Sequence, residues 1–300
     1  MGSILIVGTG ALATFFAARL SASDEQVTML GSWHDGLEAL QKEGARLIGE
    51  DGVERSHHVH ATNDPVECHN TQFALVLVKS WQTERAAGQL AECLAEDGLA
   101  LTLQNGLGNR ETLMQVLGLQ RVAMGVITSG ATLIGPGVAR AGGEGIISIE
   151  DHPRLRPLEE KLRAARFNVE VLADARSLVW GKLAINAAIN PLTALMRIPN
   201  GELLNRPEAR TLMAYLANET AAVAAAQGIK LPFEDPAVAA EGVAMRTSSN
   251  HSSMFQDISR GAPTEIDAIC GAIVRTGEHF DIATPVNRVC WHLIRALTPT

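Results

Sequence analysis

Residues 3–7 form a short apolar run that meets Gly8-Thr9-Gly10-Ala11-Leu12-Ala13, and a helical stretch follows to Leu20. Two glycines in a turn commonly mark only a turn; their place between a strand and a helix is what gives the pattern its meaning. In a strand–turn–helix unit, the first glycine of Gly-x-Gly-x-x-Ala permits the tight turn. The second lets a phosphate approach the backbone with no side chain in the way, and the small third residue lets the helix pack closely on its strand. The helix beyond presents free N–H groups and a partial positive charge. The segment from Gly8 to Ala13 therefore predicts a turn that binds the pyrophosphate of a dinucleotide.

The chain that follows keeps the rhythm such a unit requires. Gln26–Leu30 reads as a strand and Gly36–Gly44 as a short helix. Phe73–Val78 is a continuous apolar run of the kind buried on both faces of a parallel sheet. Thr83–Ala95 then reads as helix, Leu99–Leu103 as strand, Arg110–Leu117 as helix and Arg121–Val126 as strand. Strands alternating with helices predict right-handed crossovers and a doubly wound α/β sheet of the Rossmann type. Residues 128–150, Gly-rich and alternating, predict antiparallel strands added to the sheet's edge.

Beyond about Asp174 only helical periodicity remains, in Leu178–Leu195, Pro207–Gln227, Pro236–Thr247, Thr264–Thr276 and Pro285–Leu297. Ile266, Ile269, Cys270, Ile273 and Val274 form one apolar stripe. Val286, Val289, Cys290, Leu293, Ile294 and Leu297 form another. Thr264 with Asp267 predicts a capping box, and Thr284-Pro285 a cap and first turn. The expected organisation is a nucleotide domain over residues 1–173 and an all-α substrate domain over 174–300.

Charge and cysteine usage narrow the function. The net charge is −8 and no basic run is present, so the phosphate contacts that sustain nucleic-acid binding have no source. The four cysteines show no paired spacing and read as reduced thiols, two of them in the core. No basic n-region opens the chain, Ile6 counts against myristoylation, and no apolar stretch reaches membrane-spanning length. The expectation is a cytoplasmic protein with no membrane and no nucleic-acid partner. A homodimer is compatible with the sequence, which does not fix the oligomeric state.

The end of the second strand bears on the cofactor. An NAD site usually carries Asp or Glu there for the ribose hydroxyls. Here the chain runs Leu30-Gly31-Ser32-Trp33-His34, with no acid before Asp35. That favours NADP, with Ser32 and a nearby lysine as the 2′-phosphate ligands.

A second feature lies around Lys182, in Lys182-Leu183-Ala184-Ile185-Asn186-Ala187-Ala188-Ile189-Asn190-Pro191. Apart from Lys182, Asn186 and Asn190 this helix is apolar on every side. Steps of four and eight residues place the three polar groups within roughly 80° of one another. Buried polar groups need partners, and a ligand explains three on one face, ending at a helix-bending proline, better than three unrelated core contacts do. Lys79 and Asn105-Gly106 follow strands at the carboxyl edge, where ligands bind in open parallel sheets. His57, His58 and His60 lie in an extended connection with no suitably spaced carboxylate or cysteine, so no metal site is expected.

Together these segments resemble the ketopantoate reductase (2-dehydropantoate 2-reductase) family along essentially the whole chain. The resemblance rests on GTGALA at Gly8, VKSWQT at Lys79, QNGLG at Asn105 and KLAINAAINPLTAL at Lys182. It continues through Pro199-Asn200-Gly201-Glu202-Leu203, Ser252-Ser253-Met254-Phe255-Gln256-Asp257 and Thr264-Glu265-Ile266-Asp267. It implies NADPH-dependent reduction of 2-dehydropantoate to pantoate, on the way to pantothenate and coenzyme A, with Lys182 as proton donor. It further implies substrate contacts from Asn105, Lys182, Asn186, Asn190, Asn200 and Ser253. Cofactor contacts would come from Gly8, Thr9, Gly10, Ala11, Leu12, Ala13, Ser32, Lys79, Asn105, Ala131 and Glu265. Two positions depart from the family: Ala13, where the third residue is often glycine, and Ser32, where many relatives carry arginine. Rival readings are a reductase of another branched 2-oxo acid, and an NADPH-binding sensor without catalysis.

Overall fold

The computed structural model describes residues 3–298, which divide into two compact units. Residues up to 104 together with 109–175 form one unit; residues 105–108 join the chain from 176 onward in the other.

The first unit opens with β1 (Ile4–Val7), α1 (Ala11–Ser21), β2 (Val27–Leu30) and α2 (His34–Glu43), then β3 (Ala45–Ile48), β4 (Glu54–His57) and β5 (His60–Thr62). It continues through β6 (Thr71–Val76), α3 (Thr83–Cys93), β7 (Leu94–Thr102), α4 (Asn109–Leu117) and β8 (Val122–Ile127). It ends with β9 (Ala131–Gly135), β10 (Val138–Ala141), β11 (Ile146–Glu150), α5 (Arg156–Ala164) and β12 (Asn168–Leu172).

The main sheet has the order β12-β11-β8-β7-β6-β1-β2-β5. From β8 to β5 neighbouring strands are parallel, and the winding reverses between β1 and β6. The alternation of side chains along a strand explains how β1 seals the unit. Ile4 and Ile6 enter one hydrophobic core, and Leu5 and Val7 enter another on the opposite face. All four are essentially inaccessible, as the continuous apolar run requires.

Residues 128–150 depart from the expected edge extension. β9 and β10 do pair antiparallel, but they leave the main sheet and join β3 and β4 in a second sheet of order β4-β3-β10-β9. Only β11 extends the main sheet, antiparallel to β8, and β12 follows parallel to β11. The cause lies in α1, which buries Ala13, Thr14, Phe15, Phe16, Ala17, Ala18 and Leu20. A helix apolar on so many sides needs cover on its outer face as well as its sheet face, and strands β3, β9 and β10 pack against it.

The second unit is helical among the described residues: α6 (Arg176–Met196), α7 (Pro207–Ala226), α8 (Pro236–Arg246), α9 (Ser253–Ser259), α10 (Cys270–His279) and α11 (Pro285–Leu297). Its core is dominated by residues of α6 and α7. The helix expected over Thr264–Thr276 begins only at Cys270. Thr264 Oγ1 accepts weakly from the Ile266 N–H at 3.5 Å, and Asp267 instead accepts from Trp291 Nε1 at 2.7 Å, so no capping box forms. The carbonyl of Ala268 is taken by the Leu107 N–H at 2.8 Å, which diverts it from a helical ladder. Thr284 makes no side-chain cap either. The carboxylate of Glu219 does that work, accepting from the N–H groups of Val286 and Asn287 at 2.9 Å each. In α11 only part of the expected stripe is covered: Cys290 and Ile294 are buried, while Val289, Leu293 and Leu297 are exposed.

All four cysteines are buried and reduced. Desolvation pushes the Cys68 thiol up to about 12, and those of Cys93 and Cys290 up to about 11. No helix among the described residues is long and apolar enough to cross a membrane.

Candidate active site

Gly8, at the end of β1, has φ +132°, a conformation L side chains rarely adopt. A Cβ there would also meet the Leu77 carbonyl oxygen at 3.1 Å. Gly10 is different. Its φ of −83° suits any residue, and a Cβ would meet nothing within 4 Å. Space is therefore held open above the first turn of α1, where no side chain caps the helix and no acid occupies the first turn. Uncapped N–H groups, a favourable dipole and an open approach fit a pyrophosphate. Thr9 is buried, with its methyl packed where a Gly31 Cβ would stand. Ala13 is inaccessible, as close helix–strand packing requires, and Ala11 and Leu12 are half-buried.

Ser32 lies exposed just past β2, and its hydroxyl accepts a hydrogen bond from Arg85 Nη1 of α3 at 2.6 Å. Lys79 follows β6 and heads the 3-10 turn Ser80–Gln82; its backbone N–H donates to Gln82 Oε1 at 3.3 Å. The segment before it is fixed by Gln104, whose amide donates to the Val78 carbonyl at 3.0 Å and to Thr83 Oγ1 at 2.8 Å. Ala131 opens β9 in the smaller sheet, paired with Ala141. His60 pairs with Glu67 through Nε2 and Oε2 at 2.7 Å.

The helical unit gathers the other candidates. α6 runs through Pro191 without interruption and carries Lys182 and Asn186 half-buried and Asn190 buried. Gly181 allows close packing beside Lys182, since a Cβ there would stand 2.7 Å from the Pro232 ring. Asn105, in the loop that belongs to this unit, donates through Nδ2 to Glu265 Oε2 at 3.2 Å. Gly106 (φ +83°) lets that loop lie on Ala268, where a Cβ would come within 2.5 Å of the carbonyl oxygen.

Burial pushes the Lys182 ammonium down from 10.5 to about 8, and the carboxylate of Glu265, itself buried, acts in the opposite sense. Desolvation of the charged form outweighs the attraction of one carboxylate.

Asn200 is 7% exposed. Backbone bonds to Asn250 and Ser248 anchor its turn, and its Nδ2 donates to Thr247 Oγ1 at 2.9 Å. Its Oδ1 is buried with no hydrogen-bond partner, and an unsatisfied buried carbonyl costs free energy unless a ligand meets it. Ser253 starts α9 and is exposed. The buried neighbour Ser252, which the sequence reading passed over as a site residue, caps that helix through Phe255 N–H and meets Thr193 Oγ1 of α6 at 2.7 Å. Arg85 was also passed over. Its signal was faint: one exposed helical arginine, fifty-three residues from Ser32.

The described residues match two family models. The one described as "Ketopantoate reductase PanE/ApbA" covers residues 4–154, and its C-terminal counterpart covers 174–298. A 2-dehydropantoate 2-reductase of Halobacterium salinarum is 33% identical over 97% of this chain and 97% of its own. The crystal structure of a PanE/ApbA-family ketopantoate reductase from Ralstonia eutropha superposes with a TM-score of 0.92 at 32% identity, covering 98% of both chains. D-mandelate dehydrogenase, in a ternary structure with NADH and anilino(oxo)acetate, shares the fold with a TM-score of 0.93 at 24% identity, covering 98% of this chain and 97% of its own.

Proposed function

This chain belongs to the ketopantoate reductase family and is an oxidoreductase; on that premise we propose that it reduces 2-dehydropantoate to pantoate, a step toward pantothenate, with NADPH as reductant and Lys182 as proton donor. The observation that carries this reading is the state of Lys182: an ammonium on a mainly apolar stretch of α6 that it shares with Asn186 and Asn190, pushed down to about 8, with Glu265 as its electrostatic counterweight.

The residues of each unit suit their part. The turn from Gly8 to Ala13 offers backbone donors and an open approach to a pyrophosphate. A bound nicotinamide supplies the hydride. Negative charge then builds on the keto oxygen, and a preorganised ammonium both stabilises it and gives up its proton. With its pKa lowered to about 8, Lys182 gives up that proton more readily than an ordinary lysine does. Asn186, Asn190 and Asn200 can hold hydroxyl and carboxylate groups of the substrate without adding charge. Asn105 and Ser253 complete the proposed polar set. Asn105 also ties Glu265 in place, which keeps the carboxylate acting on Lys182.

Fold alone does not choose among 2-oxo acids. A panel of branched and aromatic 2-oxo acids, each followed by NADPH absorbance, tests the assignment. The largest kcat/KM is expected with 2-dehydropantoate; a larger value with any other acid would replace it.

A further inference from the structure

The carboxyl end of β2 is where a dinucleotide fold meets the adenosine ribose. A carboxylate there would accept from both ribose hydroxyls and repel a 2′-phosphate. This chain places Gly31, Ser32 and Trp33 at that point. The nearest acid along the chain, Asp35, lies in the first turn of α2 beside the His34 imidazole, 3.5 Å from Nδ1.

The positive charge arrives from a different element. Arg85 stands in the first turn of α3, the helix that follows β6. Its Nη1 reaches across to the Ser32 hydroxyl at 2.6 Å. The guanidinium pairs with no carboxylate among the described residues, although Glu84 is its neighbour in sequence. The start of α2 lies beside it, its positive end offset by Asp35 in the first turn. α2 begins two residues after Ser32, its N-cap is Trp33, and no side chain satisfies its leading N–H groups. Arginine's planar fork, already oriented by one hydrogen bond, suits a phosphate dianion better than a mobile lysine does.

We propose that Arg85, held on the Ser32 hydroxyl at the end of β2, is the residue that recognises the 2′-phosphate of NADPH and so sets the cofactor preference. Resting on the NADPH reading above, this assigns the specificity to a residue of α3 rather than to one at the end of β2. Ser32 is then a positioning residue: it orients the guanidinium and adds one hydroxyl donor to the phosphate.

Equilibrium binding separates this proposal from the reading beneath it, because it needs no turnover. Quenching of intrinsic tryptophan fluorescence gives Kd for NADPH and NADH, and calorimetry gives Kd for 2′,5′-ADP and for 5′-AMP. Wild type binding NADPH no tighter than NADH would overturn the NADPH reading and this proposal with it. If wild type prefers NADPH, Arg85→Gln is expected to weaken NADPH and 2′,5′-ADP by about 10- to 100-fold, the scale of a hydrogen bond to a charged group. NADH and 5′-AMP should change by less than about twofold. Equal losses for the phosphorylated and unphosphorylated ligands, or a retained NADPH preference in Arg85→Gln, would overturn Arg85 alone. Ser32→Asp supplies a second arm. A carboxylate placed on Arg85 should lower the NADPH/NADH preference at least as far as Arg85→Gln does, and an unchanged preference would count against the pair.

Discussion

In the sheet unit, the groups proposed for ligand binding belong mainly to the backbone, whereas in the helical unit they are side chains held among apolar neighbours. The turn at Gly8 and Gly10 is distinguished by the atoms it lacks: one glycine takes a conformation that other residues rarely adopt, and the other leaves a space unfilled. α6 works by carrying atoms that an apolar helix would otherwise exclude, with Lys182 as the extreme case. A backbone site costs the fold little and is spoiled by adding a methyl group. A side-chain site strains the fold through desolvation and is spoiled by removing a charge.

The largest effect that could break this contrast is at Lys182. Replacement by alanine is expected to cut kcat by at least about 100-fold, the scale for loss of a general acid, while NADPH Kd stays within about threefold. Near-normal steady-state turnover would remove Lys182 from its role.

The two glycines should then separate from each other. Gly10→Ala is expected to weaken NADPH binding by at least about tenfold, or 1.4 kcal/mol, with stability changed by under about 0.5 kcal/mol. Gly8→Ala should lower stability as well, by about 1–3 kcal/mol, because φ +132° and the Leu77 carbonyl both oppose a Cβ. Denaturant unfolding alongside fluorescence titration reads both quantities. Equal stability losses in the two variants would erase the distinction.

A smaller effect concerns pH. If Lys182 must be protonated, kcat/KM falls as pH rises through about 8. Glu265 raises the lysine pKa, so Glu265→Gln should move that alkaline limb to lower pH. A limb that stays in place would uncouple the two groups.

The smallest effect is on stability. The folded pKa of Lys182 lies below its ordinary 10.5. The cost of burying its charge is therefore fully present below about pH 8 and is relieved as pH rises toward 10.5. Lys182→Met should melt above wild type at pH 7, and the gap should narrow across that window. A variant that melts lower at pH 7 would show that the ammonium supports the fold.

The doubly wound sheet was legible because its signals are local. The run from Ile4 to Val7, the glycine turn and the apolar strand from Phe73 each carry their own periodicity. The polar stripe on α6 was legible for the same reason: three hydrophilic residues on one face of an apolar helix are visible from spacing alone. Helix starts were less so. The onset of α10 at Cys270 depends on a carbonyl claimed by Leu107, and the cap of α11 depends on Glu219 from another helix. The diversion of β9 and β10 into a second sheet depends on how much of α1 needs covering.

By itself, the sequence determined the family, the alternation of the main parallel strands with their helices and the helical character of the second half, because these follow from residue type and period along the chain, whereas the short strands β3, β4 and β5, and α5, β12 and α9, carry no such period. Tertiary structure alone decided which distant groups meet: Arg85 with Ser32, Asn105 with Glu265, and the loop at 105–108 with the helical unit. Such pairings join residues far apart in sequence, and no periodicity along the chain encodes them.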